Sequence, residues 1–288
     1  MASLWMLLAA FLFAGMGACV KLASTSFSTS EIVMYRGLVG TVVLLAMIRH
    51  QGGTLRTAFP REHLWRSFVG VVSLWLWFYA IGKLPLATAV TLNYMAPIWM
   101  AAYLFIKGLV HARHRVAWPL LAAIGASFIG VTLVLRPAVE AQQWVGGLVG
   151  LASSVLSAMA YMQVRRLGLM GEPEYRVVFY FSLMSCVAGA AANVASGAGW
   201  HAPTWHQVPL LLGIGISAMF AQMAMTRAYR VGKVLVVANL QYVGIVFSSL
   251  LGMVLWNDTF DWHVWLGMGI ILASGMAASF YNTREAST

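Results

Sequence analysis

Ten long apolar stretches, separated by short gaps, constrain this chain more than any other feature. They cover 4–22, 32–48, 64–82, 85–106, 116–135, 144–164, 177–196, 207–229, 234–256 and 262–281. Each is roughly 17–23 residues, enough for a helix rising about 1.5 Å per residue to cross a hydrocarbon core of about 30 Å. The predicted fold class is therefore an all-α integral membrane protein with ten transmembrane helices.

The gaps carry a second signal. Those after the second, fourth, sixth and eighth stretches are basic: Arg49, Arg56, Arg61 and Arg66; Lys107, Arg113 and Arg115; Arg165, Arg166 and Arg176; Arg227, Arg230 and Lys233. With Arg284 these make 14 of the 18 basic residues, leaving Lys21, Arg36, Lys83 and Arg136 elsewhere. Short loops rich in Lys and Arg stay cytoplasmic, so basicity in every second gap describes a chain that threads the bilayer ten times. Both termini are then expected in the cytoplasm, with the chain in the cell (inner) membrane.

Composition agrees, with 61% hydrophobic and 9% charged residues. The net charge of +10 is spread over five segments without a basic helix or an aromatic platform. It reads as orientation and attraction to anionic lipid, not as a nucleic-acid surface. Nine of the twelve tryptophans fall at or near the expected span ends, as an interfacial belt requires; Trp75, Trp77 and Trp99 do not. Cys19 and Cys186 lie inside apolar stretches and read as inert thiols. Met16-Gly17-Ala18-Cys19 loosely resembles a lipoprotein cleavage box, but no positive residue precedes the first stretch, so cleavage is not expected.

The chain repeats itself. A shift of 148 places Ala80, Leu92 and Tyr94 on Ala228, Leu240 and Tyr242, so Leu92-Asn93-Tyr94 recurs as Leu240-Gln241-Tyr242. Shifts of 145 and 143 relate Gly130 to Gly275 and Leu8-Ala9 to Leu151-Ala152. The expected units are 1–138 and 139–288, each with five spans. An odd number of spans makes the second half enter from the opposite face, which is an inverted repeat of the kind carriers use for alternating access.

Tyr79-Ala80 and Leu84-Pro85 leading into the fourth span, Pro97 within it and Arg36 in the second, set in two five-span halves, resemble the EamA-type transporters of the drug/metabolite transporter superfamily. The resemblance covers nearly the whole chain and implies a ten-helix permease for small metabolites. Two departures are visible. Where the family often closes the fourth and ninth spans with Leu-Gly-Glu, this chain has Ile106-Lys107-Gly108 and Trp256-Asn257-Asp258, and Pro97 has Ile245 as its counterpart.

The eight acidic residues and seven histidines all lie in loops or at span ends. Proton-driven carriers usually hold a titratable group within the membrane, so a carboxylate relay is disfavoured. Glu31 and Lys21 are the coupling candidates, Glu31 being the one proton site expected, with Lys21 and Arg36 as its expected neighbours. No phosphate loop, metal-ligand spacing or catalytic constellation is present. Catalysis, a cofactor and a metal are not expected.

The expected substrate site pairs Asn93 and Tyr94 with Gln241 and Tyr242 near the bilayer centre. An amide beside a phenol offers donors, acceptors and an aromatic face, although the same residues could serve interhelical hydrogen bonding. Trp75 and Tyr79 share a helix face and line a cavity or pack the core. Pro97 is expected to kink the fourth span. Arg36 either snorkels outward or attracts a carboxylate. Gln222, Ser217, Asn239, Tyr161 and Gln163 are further lining candidates. Ser153, Ser154 and Ser157 read as close-packing residues.

The predicted substrate is a small amphipathic metabolite, an amino acid or a related compound. The alternatives are a nucleoside-like cofactor such as S-adenosylmethionine and, from another class, a polytopic membrane enzyme or scaffold. The expected partners are that solute and membrane lipid, with no nucleic acid and homodimerisation left open.

Overall fold

The described residues of the expected spans are largely helical in the computed structural model, which describes residues 2–83, 91–111, 118–135, 144–197, 199–257 and 259–287. Leu84-Pro85, Arg113, Arg115, Arg136, Glu140 and Asp258 lie outside the described residues. In chain order the helices are α1 Ala2–Ala23, α2 Thr29–His50, α3 Pro60–Lys83, α4 Ala96–His111, α5 Trp118–Leu135, α6 Trp144–Leu169, α7 Glu174–Ser196, α8 Val208–Val231, α9 Val234–Leu240, α10 Val243–Trp256 and α11 Trp262–Ser287. No strand occurs among the described residues. Six segments are long and apolar enough to cross a membrane: α1, α2, α6, α7, α8 and the segment Val234–Trp256 that α9 and α10 share. Shorter apolar helices cover Thr91–Ile106, Leu121–Val134 and Trp262–Ala278.

Local chemistry sets the ends. Ser28 caps α2 through its side chain, and Glu31 returns a bond to the Ser28 backbone N–H, forming a reciprocal capping box. Gly197 adopts a left-handed conformation and closes α7. Pro60 starts α3 where a missing N–H costs nothing, and this carries the helix back past Arg61 and Arg66.

The most extensive pairings are α1 with α8, α2 with α7, α3 with α6 and α5 with α11. The α2–α7 crossing is close because both helices present glycine. A Cβ on Gly189 would stand 2.6 Å from the Met34 backbone nitrogen, and one on Gly37 would meet the Cys186 backbone. Small residues let backbones approach in this way where lipid supplies no hydrophobic drive between helices. Gly37 faces Cys186 while Gly189 faces Met34 and Ser30, so the two helices run antiparallel.

Apolar side chains such as Phe11, Val42, Val187 and Phe220 are exposed on the helix surfaces, which suits a bundle solvated by lipid. Trp65, Trp118, Trp144, Trp200, Trp205, Trp262 and Trp265 are exposed near helix ends, as a belt requires. Trp5 and Trp256 instead carry cations over their rings, Arg227 at 4.9 Å and Lys21 at 3.9 Å.

Candidate functional site

The recurring Leu-Asn-Tyr and Leu-Gln-Tyr triplets lie where two helices break. Helix covers residues 91–93, turns at Tyr94 and Met95, and resumes as α4 at Ala96. The second triplet separates α9 from α10 at Gln241 and Tyr242. At both places the backbone tightens to three-residue bonds, Met95 N to Leu92 O at 3.1 Å and Tyr242 N to Asn239 O at 3.2 Å. The expected kink at Pro97 therefore needs revision. The break precedes Pro97, which occupies the first turn of α4 where proline is tolerated, and the α9–α10 break has no proline at all.

The breaks bring two of the expected residues together. Tyr94 and Tyr242 lie with ring centroids 6.0 Å apart. Tyr242 is fully buried, and its hydroxyl has no partner among the described residues. The amides beside them turn to neighbouring helices instead. Asn93 Nδ2 donates to Ser153 Oγ at 3.3 Å, and Gln241 Nε2 donates to the Tyr229 hydroxyl at 3.0 Å. Ser153 and Ser157 also bond Ser73 at the α3–α6 contact, the packing role expected of them.

From this pair a line of phenols runs across the interior. Tyr229 stacks on Tyr161 at 5.8 Å, and Tyr161 lies within electrostatic range of Tyr94, Arg36 and Arg66. Arg36 is partly buried, and its Nε is buried without a partner, so this nitrogen does not snorkel to solvent. Its guanidinium lies 5.5 Å from the Phe181 ring centroid, and that of Arg66 lies 3.8 Å from the same ring.

Arg66 requires a correction. Its position in a basic gap suggested a cytoplasmic loop charge, but it lies in the second turn of α3 and is 3% exposed. Arg66 Nη2 reaches Gln222 Oε1 at 3.4 Å, while its Nε and Nη1 have no partner. No carboxylate among the described residues pairs with Arg36 or Arg66. A cation–π contact contributes about 0.5–2 kcal/mol. Burying an ion costs several kcal/mol, so the aromatic contact offsets only part of it. Arginine cannot discharge the difference by losing its proton.

A small cavity of about 10 Å³ adjoins this cluster, lined by Arg36, Phe181, Ser182, Ser185, Met219 and Gln222, among others. Ser185 Oγ is also buried without a partner.

Other expectations fall away from the cluster. Glu31 neither meets Arg36 nor Lys21; it accepts the His201 backbone N–H at 2.6 Å and lies 3.1 Å from the His201 imidazole. Lys21 goes to Trp256. Tyr79 is 47% exposed, with Lys83 above it at 6.0 Å, so it does not share a cavity with the arginines. Trp75 is half-buried on α3 and lines no part of the described cavity. Gln163 binds Glu62, Ser217 bonds the backbone of its own helix, and Asn239 donates to Ser274 O at 3.2 Å.

Arg66, Phe181, Ser185 and Tyr229 went unrecognised in the sequence. For Arg66 a signal existed, since Pro60 marks a helix start six residues upstream. Phe181, Ser185 and Tyr229 carry no such mark.

A model described as the EamA-like transporter family matches residues 1–136. The pseudopaline exporter of Pseudomonas aeruginosa is 30% identical over 276 residues, 94% of this chain and 93% of that one. The riboflavin transporter of Vibrio cholerae is 24% identical over 98% of this chain and 94% of its own. An S-adenosylmethionine uptake transporter of Rickettsia bellii is 21% identical over 88% and 84%. A solved crystal structure superposes with a TM-score of 0.84, covering 98% of each chain at 18% identity, a likeness of fold.

Proposed function

Since the chain belongs to the EamA-like transporters of the drug/metabolite superfamily, we propose that it is a ten-span carrier working by alternating access between two inverted repeats, 1–138 and 139–288. It is a multi-pass membrane transporter for a small molecule and not an enzyme. The cargo in this reading is a small amphipathic metabolite, an amino acid or a related compound, moved across the cytoplasmic (inner) membrane. Both termini face the cytoplasm.

One observation carries the repeat. Exchanging α1 with α6, α2 with α7, α3 with α8, α4 with α9–α10 and α5 with α11 leaves the four most extensive pairings unchanged. The breaks at Tyr94 and Tyr242 are exchanged by the same operation and meet face to face. The symmetry is imperfect in a way that favours a carrier. α8 packs on both α6 and α7, whereas the corresponding α1–α3 and α2–α3 pairs are not extensive contacts. Two repeats held in different arrangements are what alternating access requires. The relatives differ in cargo and direction: an exporter at 30% identity supports efflux, and uptake of S-adenosylmethionine at 21% is the second reading.

Counterflow of labelled solutes in proteoliposomes tests this. Flux above that of empty liposomes, lost in Tyr94→Ala and Tyr242→Ala with the fold intact, is the expected result; no flux for any amino acid, pseudopaline, flavin or S-adenosylmethionine would sink it. For the topology, single cysteines at Ser28 and Gln51 in a background lacking Cys19 and Cys186 should label from opposite faces. Labelling of both from outside would refute ten spans.

A further inference from the structure

Arg36 and Arg66 come from helices that enter the bundle from opposite ends. Arg36 lies seven residues into α2 and Arg66 six residues into α3, each roughly 9–11 Å along its helix at 1.5 Å per residue. Phe181 lies seven residues into α7, and Gln222 fourteen into α8. Four helices thus deliver two permanent positive charges, one amide and one aromatic face to one interior place.

What converges there is donor-rich and acceptor-poor. Arg36 Nε, Arg66 Nε and Nη1, and Ser185 Oγ are all buried without partners, and Arg66 is 3% exposed. The side-chain acceptor that meets Arg66 is Gln222 Oε1, a neutral group at 3.4 Å. The nearby carboxylates are committed elsewhere: Glu62 to Arg166 at 3.1 Å and to Gln163, Glu172 to His63 and Arg176, Glu31 to His201. Charged residues inside a membrane bundle mark solute pathways when the protein itself does not neutralise them.

We propose that Arg36 and Arg66 together form an anion anchor that binds the carboxylate of the transported solute. This rests on the carrier reading and gives its cargo a chemical class. Guanidinium forks match a planar carboxylate with two parallel bonds each, which a lysine ammonium could not do. Phe181 and Met219 offer an apolar wall beside the charge. The cavity beside Arg36 holds only about 10 Å³, about the room of one water, so a carboxylate would enter as the helices move apart around the two guanidinium groups.

The test is thermal unfolding of the full chain in detergent with sodium benzoate, benzamide, sodium phosphate and sodium chloride, the salts at matched ionic strength. Benzoate should raise the midpoint above chloride, and benzamide and phosphate should not. Arg36→Gln and Arg66→Gln should each weaken benzoate at least tenfold, with Arg66→Lys falling between. Arg66→Met, which removes the unpaired charge, should raise the midpoint without benzoate, and this keeps the proposal testable if the glutamine variants fold poorly. A benzoate shift no larger than chloride's, a phosphate shift equal to it, or persistence of the shift in both glutamine variants overturns the proposal. Because binding is read without transport, absent counterflow together with an arginine-dependent benzoate shift would defeat the carrier and leave the anion site standing.

Discussion

The two ends of the α2–α7 crossing use the same device and build it differently. At one end Glu31, near the start of α2, holds the segment that follows α7 through the His201 backbone and imidazole, and Ser28 Oγ donates to Asn193 Oδ1 at 3.2 Å. At the other end Glu172, just before α7, holds the segment that follows α2. It accepts from Thr57 Oγ1 at 2.8 Å, lies 3.0 Å from His63 Nε2 and pairs with Arg176 at 3.0 Å, while Arg176 also donates to Thr54 O. Because α2 and α7 are antiparallel, these carboxylate–histidine clasps sit on opposite faces of the bundle. The Glu172 clasp is buried on both sides of its His63 contact, whereas His201 is 59% exposed. The same carboxylate–histidine device is thus shielded from solvent at one end and open to it at the other.

The largest effect should come from breaking what both ends share. Gly37→Val drives a side chain into the Cys186 backbone, and overpacking of this kind costs about 3 kcal/mol or more, so the folded yield should collapse in size-exclusion chromatography. Next, Glu172→Ala leaves His63 and Arg176 without their carboxylate and should cost about 3 kcal/mol in unfolding measurements, against about 1–2 for Glu31→Ala, which loses a capping box and one backbone bond. Equal costs would remove the asymmetry between the faces.

A smaller, pH-dependent effect follows at the Glu172 end. Burial alone would raise the Glu172 carboxyl, but the bonds from Thr57, His63 and Arg176 outweigh it and hold the group below its ordinary value of 4.5. A carboxyl held low contributes its full stability above that ordinary value and loses it as pH falls through the lowered one. Amides of residues 53–58 should therefore exchange faster as pH is taken below about 4.5, after correction for intrinsic rates, and Glu172→Gln should flatten that dependence. The smallest effect belongs to His201→Ala, below about 1 kcal/mol, because an exposed pair is weak and the His201 backbone bond survives.

Much of the architecture was legible along the chain. Every apolar stretch with described residues became helix, because lipid leaves the backbone no partner but its own segment. The triplets ending in Tyr94 and Tyr242 pointed to the centre, since a repeated polar motif within an apolar run has few other uses. The roles of their amides were less legible. Whether Asn93 meets a solute or Ser153 depends on how α6 is rotated, which local pattern does not specify. Glu31 was misread for a related reason: Arg36 is near it in sequence, yet His201, 170 residues away, is its partner.

The division has a physical basis. Hydropathy and charge bias between gaps are properties of consecutive residues, and they alone determined the membrane class and the helical segments. Whether a charge is paired is a relation between distant residues. Arg66 looks like any loop arginine until α3 is packed against α7, where Phe181 and Gln222 meet it and no carboxylate among the described residues does. Only tertiary packing could turn an orientation signal into a buried, unneutralised charge.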